Sequence, residues 1–87
     1  MAVVHVPRSL AALIPGMPRT LDVEGGDVQQ VVLALEAGHP GVLERLCEPG
    51  PRIRPFINLF VDGERADMAT AVGPTSVIHV VPAVAGG

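Results

Sequence analysis

The residues best placed to do chemistry stand at the end of the chain, where Val77-Ile78-His79-Val80-Val81 passes through Pro82 into Ala83-Val84-Ala85-Gly86-Gly87. Glycine has no Cβ, so a terminal Gly86-Gly87 can enter a narrow channel with its carboxylate open to attack from any side. A reacting acyl group needs that access. Extended at about 3.3–3.6 Å per residue, Pro82 to Gly87 would carry the carboxylate roughly 20 Å from the fold, within reach of a partner's buried active site. The competing reading is a frayed terminus. The lead-in favours the acyl reading, because a β-branched strand is followed by a proline that cannot donate and then by nothing larger than valine.

Elsewhere the candidate groups are scattered. One cysteine, Cys47, excludes an internal disulfide, and with only His5, His39 and His79 beside it there is no metal-ligand spacing. Val42, Leu43, Leu46 and Cys47 share one helical face, so Cys47 is expected in the core rather than as a reactive thiol. His39, next to Pro40, reads as a turn residue, and His5 and Asp22 fall in the polar phase of their strands. Gly25-Gly26 before a helix invites comparison with a phosphate loop, but no G-x-x-x-x-G-K-[ST] is present and the chain has no lysine. With no Ser-His-Asp arrangement and no clustered carboxylates, acid and base must come from partner proteins.

Composition narrows the class further. Eighty-seven residues with 48% hydrophobic, 17% charged and a net charge of -3 make one small, mildly acidic globular domain, unsuited to a nucleic-acid backbone. No apolar run is long enough to span a bilayer, and the N-terminal stretch reads as a strand rather than a signal peptide. The expected location is therefore the cytoplasm, with no membrane contact.

These residues must be positioned by a few short elements. Strands are expected over Ala2–Val6 and Arg19–Val23, joined by a long loop with a helical turn near Ser9–Ile14 and a reversal at Pro15-Gly16-Met17-Pro18. Asp27 is a good N-cap for a helix over Val28–Glu36, whose Val28, Val31, Val32 and Leu35 recur at helical spacing. Gly38-His39-Pro40-Gly41 ends it, Val42–Cys47 follows as a second helical segment, and Glu48-Pro49-Gly50-Pro51 is a turn. Phe56–Val61 is the next strand, Asp62-Gly63 a tight hairpin turn, Met68–Val72 a short strand or turn, and Val77–Val81 the closing strand. The fold class is α+β, with one main helix across a mixed sheet. The domain is expected over residues 1–82, followed by a flexible tail over 83–87.

Strand parity locates a docking face. It puts Ile57, Leu59, Val61, Ile78 and Val80 toward the helix and Phe60, His79 and Val81 on the open face beside the tail. An apolar patch there fits a partner site, while the alternative covers Phe60 with the Pro49–Pro55 loop.

The strand hairpin, the helix, the Val61-Asp62-Gly63 turn and the Pro82-Ala83-Val84-Ala85-Gly86-Gly87 ending together resemble the β-grasp, ubiquitin-like sulfur carriers, the MoaD/ThiS-like family, over essentially the whole chain. The ending is most similar to that of the carrier in an actinobacterial cysteine pathway. Two features depart from the family: Asp62 stands where asparagine is usual, and the loop before the last strand, Gly73-Pro74-Thr75-Ser76, is not acidic. The resemblance implies a β-grasp roll and a protein co-substrate rather than an enzyme. Its Gly87 carboxylate would be adenylated by an ATP-dependent, E1-like activating enzyme and converted to a thiocarboxylate. Gly86 and the tail residues Pro82, Ala83, Val84 and Ala85 would thread the partner's site, and the domain itself would bind no cofactor. A sulfur donor system and a downstream sulfur-accepting synthase are implied as further partners, with cysteine, thiazole, pterin or thio-sugar as the product. The alternatives are a ubiquitin-like modifier forming isopeptides and a tail-inserting subunit of a molybdopterin synthase-like enzyme.

Overall fold

Alternation along the first strand sets the architecture. In β1 (Ala2–His5), Ala2 and Val4 are buried while Val3 and His5 are half-buried, so one face is apolar. A computed structural model describes residues 1–83. After β1 come a short helix α1 (Arg8–Ala11), β2 (Thr20–Val23), the main helix α2 (Val28–Gly38) and α3 (Val42–Leu46). They are followed by β3 (Cys47–Glu48), β4 (Arg52–Ile53), β5 (Ile57–Val61), β6 (Glu64–Ala66) and β7 (Val77–Pro82). The main sheet runs β2-β1-β7-β5-β6, with β1 antiparallel to β2 but parallel to β7, and β7 antiparallel to β5. This is the expected β-grasp roll. Its core joins Val28, Val31, Val32 and Leu35 of α2 to Val4, Leu59, Val61, Ile78 and Val80 of the sheet.

Local chemistry starts α2 where the sequence marks it. Asp27 Oδ1 accepts the Gln30 N–H at 2.8 Å, and Gln30 Oε1 accepts the Gly26 N–H at 2.7 Å, a reciprocal cap. The N–H groups of Val28 and Gln29 donate to Thr70 and Met68 carbonyls at 3.0 Å, so the loop after β6 satisfies helix donors that no turn of α2 can. The Met68–Val72 stretch is thus a turn with one bridge, Asp27 to Ala71. A Cβ on Gly25 would lie 2.8 Å from Val31, so this glycine serves close packing against the helix.

Asp62 does more than turn a hairpin. Its φ of 51° and that of Gly63, 85°, give the two positive values of a type I′ turn between β5 and β6. Its carboxylate then reaches across to the start of β7, where Oδ1 accepts the Val77 N–H and Oδ2 accepts the Ser76 hydroxyl, each at 2.9 Å. Ser76 Oγ in turn accepts the Gly73 N–H at 2.9 Å.

Among the boundaries that differ from the sequence reading, three change the pairing or the helix length most. Cys47 leaves the helix with extended backbone and pairs with Ile53, so Glu48-Pro49-Gly50-Pro51 closes a small hairpin, β3–β4, that two-residue strands do not announce. The main helix runs on to Gly38. Pairing in β7 continues past Val81 through Pro82, opposite Ile57, and the Ala83 N–H donates to the Phe56 carbonyl at 2.7 Å.

Asp62→Ala should lower stability by about 2–3 kcal/mol, because two hydrogen bonds to a carboxylate are lost and alanine is strained at positive φ. Asp62→Asn, which tolerates that backbone and keeps one acceptor, should lose less than half as much in chemical denaturation. Equal losses would show that the carboxylate clasp contributes little.

Candidate functional site

The site is the root of the tail. β7 lies in the middle of the sheet, and its C-terminal end emerges between the end of β1 and the start of β5. Residues from all five strands of the main sheet meet in one row beside it. Thr20, His5, His79, Phe60 and Arg65 are successive cross-strand partners. The His5 and His79 rings stack with centroids 4.7 Å apart and planes 20° from parallel, and Thr20 Oγ1 lies 3.3 Å from His5 Nδ1.

Parity therefore assigns the faces as the sequence indicates. Leu59, Val61, Ile78 and Val80 are buried and Ile57 packs partly against the core, while His79 is exposed and Val81 is 41% exposed. Phe60 is half-buried and lies on the open face between His79 and Arg65. Pro82 is half-buried and Ala83 exposed. Val84, Ala85, Gly86 and Gly87 lie outside the described residues.

Two residues of this region escape sequence reasoning. His5 has the outward phase, but only the parallel β1–β7 register shows that it meets His79. Phe56, 55% exposed, precedes β5 rather than beginning it.

The other nucleophile is sequestered. Cys47 is 5% exposed and its Sγ lies 3.8 Å from Met68 Sδ. Burial pushes its thiol pKa up, against a smaller opposite pull from the Arg54 guanidinium. His39 caps the end of α2, its N–H donating to the Leu35 carbonyl at 2.7 Å. Among the described residues no three His, Cys, Asp or Glu side chains come together as a metal site. No helix there is long and apolar enough to cross a membrane.

Comparison with known proteins agrees with this geometry. Residues 12–87 match the ThiS family. The chain is 31% identical over 78 residues to the sulfur carrier protein CysO of Mycobacterium tuberculosis and of Mycobacterium bovis, an overlap of 83% of this chain and 84% of theirs. Among solved structures it is similar to the Amycolatopsis orientalis BexX/CysO complex, with TM-score 0.90 and 25% identity over the full length of both chains. Crystalline M. tuberculosis CysO superimposes with TM-score 0.87 and 27% identity, covering 97% of this chain and 100% of that one. SAMP1 from Haloferax volcanii gives TM-score 0.78 and 26% identity, covering 99% and 98%.

Cys47→Ala should fold with a stability loss of about 1 kcal/mol. The native thiol should react with iodoacetamide far more slowly than the unfolded one at neutral pH. Because the folded thiol holds its proton to higher pH than the unfolded one, wild-type stability should fall as pH rises past about 8.5, and the alanine variant should lack that slope. Rapid labelling of the folded chain would contradict the burial argument.

Proposed function

The chain belongs to the ThiS family and is a sulfur carrier, and from that premise we propose that Gly87 is the residue that bears the sulfur. The observation that supports this most is the position of β7: the best-buttressed strand of the sheet leads directly into Pro82, Ala83 and the Gly-Gly end. The domain holds the root, and the slim end reaches a partner's active site.

A carboxylate is a poor electrophile until one oxygen becomes a leaving group. In the reaction we propose, a Gly87 carboxylate oxygen attacks the α-phosphorus of ATP and pyrophosphate leaves. A hydrosulfide-level sulfur from the donor system then adds to the acyl carbon and expels AMP, leaving a C-terminal thiocarboxylate. That soft nucleophile displaces a leaving group from an acceptor bound by a synthase, and hydrolysis of the acyl–sulfur bond then frees the acceptor's sulfur and returns the Gly87 carboxylate. Resemblance to the carrier of an actinobacterial cysteine pathway makes a cysteine precursor the acceptor we favour. The carrier contributes no acid or base and holds no cofactor of its own; an E1-like enzyme supplies the ATP site. Dependence on ATP suits a cytoplasmic exchange, the location we propose. The open-face residues Phe60, His79 and Val81 adjoin the tail root and suit the partner contact, with half-buried Phe60 and exposed Val81 as its apolar part and His79 as its polar edge.

With an activating enzyme, ATP and a sulfur source, the intact protein should gain the mass of one oxygen-to-sulfur exchange at Gly87, and deletion of Gly87 should abolish the gain. Sulfur on Cys47, or loading of the shortened chain, would contradict the mechanism. Phe60→Ala should weaken binding to the activating enzyme about tenfold. Unchanged affinity with a large fall in melting temperature would place Phe60 among the structural residues instead.

A further inference from the structure

The chain carries a net charge of -3, yet its arginines are not spread evenly. β1 and β7 run parallel and finish at the same end of the molecule, where β2 and β5 begin. That end carries four of the six arginines. Arg8 opens α1 directly after β1, and Arg19 precedes β2 and donates through Nε to the Val6 carbonyl at 3.3 Å. Arg45 ends α3 beside the tail root, and Arg54 precedes β5, its Nε donating to the Glu44 carbonyl at 2.9 Å. Among the described residues the only side-chain ion pair joins Arg52 to Glu48, so none of these four lies within ion-pair distance of a described carboxylate, although Glu36, Glu44 and Glu48 line a neighbouring hollow with Arg54. The opposite end, where β7 begins and β5 turns into β6, gathers Asp22, Glu24, Asp27, Asp62 and Glu64. The molecule is polarised along the direction in which the tail leaves.

An apolar groove lies inside the basic end. It has a volume of about 380 Å³ and is walled by Leu10, Leu13, Phe56 and Pro82, with Arg45 and Arg54 at its margin and Glu44 as its one acid. Leu13 is 57% and Phe56 55% exposed, an unusual loss of burial in a chain with only two phenylalanines. Val80, an inward residue of β7, forms part of its floor, so the groove lies on the helix side of the sheet, opposite the open face that carries Phe60 and His79.

We infer that this groove and its arginine collar form a second contact surface of the carrier, which receives an apolar side chain flanked by carboxylates at the mouth of the channel that takes the tail. This rests on the sulfur-carrier reading and adds the chemistry of the partner. The collar is continuous with the tail through Pro82, so a protein that encloses the tail must lie against it. Guanidinium groups at the margin of an apolar seat suit an acidic rim, and a carrier that gathers five of its acids at the opposite end is steered tail first. The contact differs from the open-face one by its salt dependence.

The test uses the full chain, the purified activating enzyme that adenylates it and excess sulfide, measuring kcat/KM for the carrier in ATP-dependent AMP release at about 0.05 M and about 0.5 M salt. Arg8→Gln/Arg45→Gln should lower kcat/KM about tenfold at low salt, through KM, and less than threefold at high salt. Gln29→Glu/Ala34→Glu, which matches the change in net charge on the exposed face of α2, should change it less than twofold. Phe56→Ser should reduce it at both salt concentrations. If the arginine and Phe56 variants act like the wild type while Phe60→Ala is impaired, the groove takes no part. Equal effects of the two charge-matched variants would reduce the collar to net charge and overturn the inference. If the unaltered chain is not adenylated, the sulfur-carrier mechanism fails and this inference with it.

Discussion

The pairing of β1 with β7 joins residues 3–5 to residues 77–79, and the rest of the molecule depends on it. A parallel pair cannot be closed by a tight turn, so nearly the whole chain must be folded back between the two strands. The loop-closure cost falls on this step, and α2 offsets it by covering the two central strands with Val28, Val31, Val32 and Leu35. The result places the last strand at the centre of the sheet, hydrogen-bonded on both edges, where an end strand would ordinarily fray. Asp62 fastens its first residue and the Ala83 N–H its last described turn of pairing. A tail inserted into another protein can be pulled against this root without unravelling it.

Division of labour follows from the same arrangement. The fold supplies a firm root with a face on either side of it, and in the function we propose the catalytic groups come from partner enzymes. Its one thiol is buried with its pKa pushed up, which disfavours the reactive thiolate there. On the proposed function, chemistry and specificity are separated: the acyl end would carry the reaction, and the surfaces around its root would decide which enzymes meet it.

Much of this is legible in the sequence because the local signals agree. Asp27 caps, the α2 stripe has helical period, Asp62-Gly63 turns and the strand phases are consistent, so the roll and the outward Phe60, His79 and Val81 follow from spacing alone. What the sequence hides is long-range. His5 looks like a lone polar residue until the register sets it on His79, and Asp62 looks like a variant of the usual turn asparagine until its carboxylate is seen on Val77 and Ser76. The arginine collar is invisible because Arg8, Arg19, Arg45 and Arg54 are gathered only by topology. The β3–β4 hairpin is missed for a different reason: two-residue strands have no period to detect.

The measurement that bears most directly on the account is the chemical state of Gly87 in protein isolated from its own cells, read by tandem mass spectrometry of the C-terminal peptide under conditions that preserve thioacids. A sulfur carrier predicts a thiocarboxylate on Gly87 in part of the population and a free carboxylate in the rest, with Cys47 unmodified. Gly87 found joined by isopeptide bonds to lysines of other proteins, with no thiocarboxylate at any stage of growth, would contradict it.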